Sequence, residues 1–107
     1  MTASSVAEQL HGLPGAELIV QGIKDLAAGI ESIPGLLVAV GAHRIRERLP
    51  GLALDGLPER PELRLYALLR LQHPREAYSQ YNAYLRRLTR FCHALESHRT
   101  CMGEPIG

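Results

Sequence analysis

Apolar residues recur at helical spacing toward the end of the chain. Tyr78, Tyr81, Leu85, Leu88, Cys92 and Leu95 are separated alternately by three and four residues, which in a helix puts them on one face. Tyr84 and Phe91 sit beside this seam and widen it. Arg86, Arg87 and Arg90 fall on the other side, toward water. The pattern predicts a long final helix, opened by Pro74, running from Arg75 to about Arg99 and ended by Gly103 and Pro105. Such a face must be covered by something else.

Three more main helices are expected upstream. In residues 15–33, Ala16, Ile19, Ile23, Leu26, Ile30 and Ile33 form a second seam, with Gln21, Lys24, Asp25 and Glu31 off it. Gly22 and Gly29 each cost about 1 kcal/mol in a helix interior unless they permit close helix approach. Pro34 and Gly35 are expected to end or kink this helix. Leu36–Leu49 begins apolar all round and then turns Arg-rich. Val38, Ala42, Ile45 and Leu49 continue one helical face across both halves, which decides for helix over buried strand. Pro50 to Pro61 reads as a loop containing the turn dipeptide Asp55-Gly56. From Pro61, suited to a first helical position, Leu63–Gln72 is nearly all apolar and is expected to be the buried central helix. Met1–Pro14 is a polar start, a loose lead-in with a short helix from Ser5 to His11 capped by Ser5 and Glu8.

The 107 residues leave room for one domain, 1–107. At 46% apolar with one Phe and no Trp, the core must be aliphatic. The expected fold is all-α, a single-domain helical bundle with a long C-terminal helix, and dimeric. Two seams, an apolar helix and an apolar half-helix are more apolar face than a small bundle covers alone.

Net charge is +1, so no strong field draws the chain to nucleic acid or membrane. The charge is uneven. Residues 1–35 set Lys24 against Glu8, Glu17, Asp25 and Glu31, a net of −3; residues 36–107 set 11 Arg against 7 acids, a net of +4. Met1–His11 lacks the basic and apolar regions of an export signal, and the longest uninterrupted apolar run, Leu36–Val40, is far short of a span of about 20 residues. A cytoplasmic protein with reduced cysteines is expected.

Candidate chemistry is sparse. Cys92, His93, His98 and Cys101 are zinc-ligand types, but Cys92 and Cys101 lie about half a turn out of phase on one helix, and Cys92 falls on the seam as a small apolar residue. Arg44, Arg46 and Arg48 with His43 are cationic, yet the loop after them is too long for a helix-turn-helix. The Arg87-x5-His93 spacing resembles the R-x(4–6)-H pattern of HEPN-type ribonucleases, in which Arg holds phosphate and His acts as acid–base. Here Leu88 stands where that family usually has a polar residue. No catalytic, metal or cofactor residues are assigned, and no enzyme is expected. Partner contact is expected through Tyr78, Tyr81, Tyr84 and Leu85, flanked by Arg86 and Arg87, because aromatic anchors beside forked cations are what interface centres use.

In size and character the whole chain resembles the QslA-type family of quorum-sensing antiactivators. The resemblance is carried by Gly22-Ile23-Lys24-Asp25-Leu26-Ala27-Ala28-Gly29-Ile30 and Tyr78-Ser79-Gln80-Tyr81-Asn82-Ala83-Tyr84-Leu85-Arg86-Arg87. It implies a helical homodimer that binds the ligand-binding domain of a LuxR-type transcription regulator and blocks its dimerisation and DNA binding. The alternatives are a HEPN-like RNA-acting enzyme or toxin, and a helical accessory subunit. Direct nucleic-acid or membrane binding is not expected.

Overall fold

Each helix boundary has a local cause. The computed structural model describes residues 3–52, 54 and 56–103, with side chains described within 6–97. Its helices are α1 (Ala3–Leu10), α2 (Ala16–Ala27), α3 (Ile33–Arg48), α4 (Pro61–Gln72) and α5 (Ala77–Gly103). No strand occurs among the described residues. The fold is all-α with a long C-terminal helix, as the periodicity predicts.

The stretch expected as one helix over 15–33 is cut at Gly29. Its φ is +73°, a conformation that glycine adopts without steric cost. The Ile30 amide donates to the Asp25 carbonyl (2.8 Å) and the Gly29 amide to the Leu26 carbonyl (3.1 Å). This paired closure is the Schellman motif, which satisfies the last carbonyls of α2. Pro34 therefore opens the next helix instead of ending this one. It sits in the first turn of α3, where its missing amide proton costs nothing. Ser32 caps that helix: its Oγ accepts from the Gly35 amide (3.1 Å) and donates to Asp25 Oδ2 (2.6 Å). Asp25 also accepts from Gln21 Nε2 (2.9 Å). One carboxylate thus ties the end of α2 to the start of α3.

The central helix is α3, not α4. Leu36, Leu37, Val38, Ala39, Ala42 and Ile45 are all buried, and α3 contacts α2, α4 and α5. Its apolar first half is surrounded by neighbours. Helix α4 is covered on one side only. Leu65 and Leu69, one turn apart, are fully buried, while Leu63 and Leu71 are 62% and 81% exposed. The all-round apolar composition of α4 is thus not matched by all-round burial.

Close approach between α2 and α3 rests on Gly22. A Cβ there would lie 2.5 Å from Val38 Cγ2 and nearer still to the Pro34 carbonyl oxygen. The permissive role expected of this glycine is what the packing requires.

The N-terminal segment is not a mere lead-in. Val6 and Leu10 of α1 are fully buried in the core. Helix α1 begins before Ser5, so Ser5 lies inside it rather than at its cap position; its side chain is outside the described ones. Leu52 and Leu54 of the 49–60 loop are buried too, so this loop plugs the core. Asp55 of the expected turn, and Pro105, lie outside the described residues. One apolar cluster draws on all five helices.

Helix α5 spans 27 residues, about 40 Å, in a molecule whose longest dimension is 49 Å. Ala77, Leu88, Phe91, Cys92 and Leu95 are buried, with Phe91 the largest fully buried side chain. The seam is covered toward its C-terminal end and open toward its start, where Tyr78 is 70% exposed. Phe91, placed beside the seam by the spacing, is at its centre.

Candidate protein-interaction surface

The basic face of α5 is built by what its opposite face buries. Leu88, Phe91 and Leu95 lock the helix against the core. Arg86, Arg87 and Arg90 are thereby carried on the solvent side, all exposed.

The six residues expected to meet a partner divide into two groups. Tyr78 and Tyr81 belong to the α4–α5 hairpin. Tyr81 is half-buried and meets Tyr66 of α4 edge to face, with ring centroids 5.5 Å apart and an interplanar angle of 84°. Aromatic pairs favour this arrangement because a positive ring edge meets a negative face. Tyr78 and Leu71 stand exposed near the same turn. One to two turns further along α5 lie Tyr84, Leu85, Arg86 and Arg87. The Arg87 guanidinium sits 5.5 Å from the centre of the half-buried Tyr84 ring, an attraction of cation and ring quadrupole. Leu85 is also half-buried.

Two depressions flank this turn. One, of about 910 Å³, lies between the α1–α2 corner and α5; Lys24, His11, Arg87 and Arg90 line it together with Leu13, Ala16, Leu18 and Val20. The other, of about 350 Å³, is a shallow patch of Asn82, Leu85, Arg86, Thr89 and Arg90. Arg90 belongs to both. Leu85 and Arg86 thus face one hollow and Arg87 the other.

The larger hollow was not legible in the chain as a site. Residues Gly12 to Gly15 read only as an interruption between helices. The chain turns there, Gly15 comes close to the backbone at Arg87 and to Phe91 of α5, and α1, α2 and α5 enclose a concavity. Lys24, the one lysine of the chain, was legible as a solvent-facing residue of α2 but not as a neighbour of Arg87 and Arg90.

The remaining candidates are dispersed. In the His43–Arg48 run, His43 Nε2 lies 3.0 Å from Glu47, and Arg44 is engaged by Glu96 of α5 through Nε (3.1 Å) and Nη2 (3.0 Å). Arg48 is half-buried. These residues do not form one free basic surface. Arg87 and His93 are both exposed, but six residues of helix separate their directions by about 120°. Cys92 is buried and His93 exposed; the side chains of His98 and Cys101 lie outside the described ones. Among the described residues no group of three or more His, Cys, Asp and Glu comes together as a metal site, and no helix is long and apolar enough to cross a membrane.

Comparison of the chain with protein-family models, with curated proteins and with solved structures gives no match.

Proposed function

We propose that this is a non-enzymatic regulatory binding protein, one that acts by masking a surface of another protein. The observation that carries this reading is the turn Tyr84–Arg87 of α5. It presents a half-exposed aromatic, a half-exposed leucine and two exposed guanidinium groups on a helix held rigid by Phe91 and Leu88. Interface centres are enriched in such anchors, and a preorganised helix loses little conformational freedom on docking. The resemblance to quorum-sensing antiactivators supplies the partner class: a LuxR-type transcription regulator, bound at its ligand-binding domain so that dimerisation and DNA binding are blocked. The exposed Leu63, Leu71 and Tyr78 supply apolar area for self-association as a homodimer. Cytoplasmic residence follows from such a partner.

The test is a titration of LuxR-type ligand-binding domains from the source genome with the purified protein, followed by size exclusion and an operator-DNA shift. The expected result is a stoichiometric complex that releases DNA and that Leu85→Asp disrupts. Failure of every such domain to bind would remove the antiactivator reading. Turnover of an RNA substrate that disappears in the His93→Ala variant would replace it with the HEPN-like one.

A further inference from the structure

We propose that the hollow between the α1–α2 corner and α5 docks a short acidic amphipathic segment of a protein partner. This rests on the binding-protein reading and names the chemistry that the partner would bring. Lys24, Arg87 and Arg90 converge on the hollow from two helices that are remote in sequence, opposed there, among the described residues, by Glu17 alone. The chain as a whole is nearly neutral, and its first 35 residues are net acidic. The cationic character of this hollow is therefore local and created by folding. Its floor is apolar, with Leu13, Ala16, Leu18 and Val20 each partly exposed. Its volume is in the range of formed binding pockets.

Apolar floor and cationic rim together select the occupant. A peptide with large aliphatic side chains along one face and carboxylates flanking them complements both features. Charge complementarity of this kind sets specificity and speeds encounter. A nucleic acid matches less well. Among the described residues no Phe, Tyr or Trp lines the hollow, His11 is its one aromatic ring for a base to stack on, and Glu17 stands in its wall against phosphate. The stretch of α2 from Ala16 to Lys24 runs about 12 Å, enough to face about two turns of a docked helix.

Fluorescence anisotropy with defined probes tests this. The probe is a labelled helical peptide of about 16 residues with a Leu stripe flanked by Glu; the controls are the same peptide with Lys for Glu, and a labelled single-stranded oligonucleotide. The acidic peptide is expected to bind saturably and more weakly at high salt. Lys24→Glu should weaken it about tenfold, whereas Arg70→Glu, exposed on α4 and outside this hollow, should leave it unchanged. Amide resonances of Ala16 and Val20 should shift on titration. No binding of the acidic peptide, equal binding of the basic peptide, tighter binding of the oligonucleotide, or indifference to Lys24→Glu would each overturn the proposal. So would self-association abolished by Lys24→Glu, since a second copy of the chain would then occupy the hollow. The antiactivator reading is decided separately, by whether a LuxR-type domain binds and responds to Leu85→Asp.

Discussion

Arg44 and Glu96 are 52 residues apart in the chain and form a two-pronged ion pair, Nε to Oε2 at 3.1 Å and Nη2 to Oε1 at 3.0 Å. The pair bolts the Arg-rich half of α3 to the last third of α5, over the buried Cys92. Forked guanidinium–carboxylate geometry is the stronger form of surface ion pair.

That pair predicts a pH dependence. The hydrogen bonds from Arg44 hold the Glu96 carboxyl below its ordinary value, with Arg48 and His93 adding in the same direction and burial opposing. A depressed folded-state carboxyl contributes stability that is present above its unfolded value, about 4.3 for Glu. That stability is lost as pH falls through the folded value. Glu96→Gln should cost about 0.5–1 kcal/mol near neutrality, a modest figure because both partners are partly solvated. Urea midpoints of the two proteins should converge as pH is lowered below the unfolded glutamate value and through the folded one. A gap that stays constant with pH would exclude this role for Glu96.

The two helix-crossing glycines should respond differently to the same substitution. At Gly22 an added methyl meets the Pro34 carbonyl, which is backbone and cannot move aside. Overpacking there should cost about 3 kcal/mol. At Gly41 the methyl meets the end of the Leu88 side chain, with Cδ1 at 2.7 Å. Leu88 is a buried side chain that gives only in part, but Ala is the better helix former by about 1 kcal/mol, so Gly41→Ala should cost about 1 kcal/mol, less than Gly22→Ala. Thermal unfolding followed by circular dichroism ranks them; equal melting temperatures would refute the distinction.

Cys92 should behave as a packing residue. Burial pushes its thiol up, against the opposing pull of Arg44, so little thiolate is available. In a Cys101→Ser background, iodoacetamide should leave Cys92 unlabelled in native buffer and label it in denaturant. Cys92→Ala should cost about 1–2 kcal/mol. Labelling of the native protein at the rate of a free thiol, or stoichiometric zinc in protein purified without added metal, would contradict this.

Tyr81 and Arg86 separate structural from recognition roles. Tyr81→Ala removes the edge-to-face contact with Tyr66 and should lower the melting temperature by several degrees, a loss of about 1–3 kcal/mol for a half-buried ring. Arg86→Glu, on the solvent face, should leave melting within about 0.5 kcal/mol of the parent while weakening partner binding. Comparable loss of stability in both variants would mean that the Arg86 face is structural.

Light scattering at micromolar concentration should report twice the 11.8 kDa chain mass, with Leu71→Lys or Tyr78→Lys shifting the protein toward monomer. A monomer in the parent protein would leave the exposed hairpin residues without a second copy.

The one-dimensional pattern determined the helical class, the long final helix and most of its buried face. Helical periodicity is a property of neighbours in sequence, so Leu88, Cys92 and Leu95 could be placed before any packing was known. Local chemistry also carried the boundary at Gly29 and Pro34, although in the chain these residues read equally as an interior glycine and a stop. The Asp25–Ser32 hydrogen bond and the Schellman closure decide between those readings, and both need the two helix ends brought together. Burial of α3 in place of α4 was not legible, because both are rich in apolar residues and only their neighbours differ. The larger hollow is the clearest case. Its cations, Lys24 on one helix and Arg87 and Arg90 on another, have no relation in sequence spacing. Only the turn at Gly12–Gly15, where Gly15 approaches α5 at Arg87 and Phe91, puts them around one apolar floor.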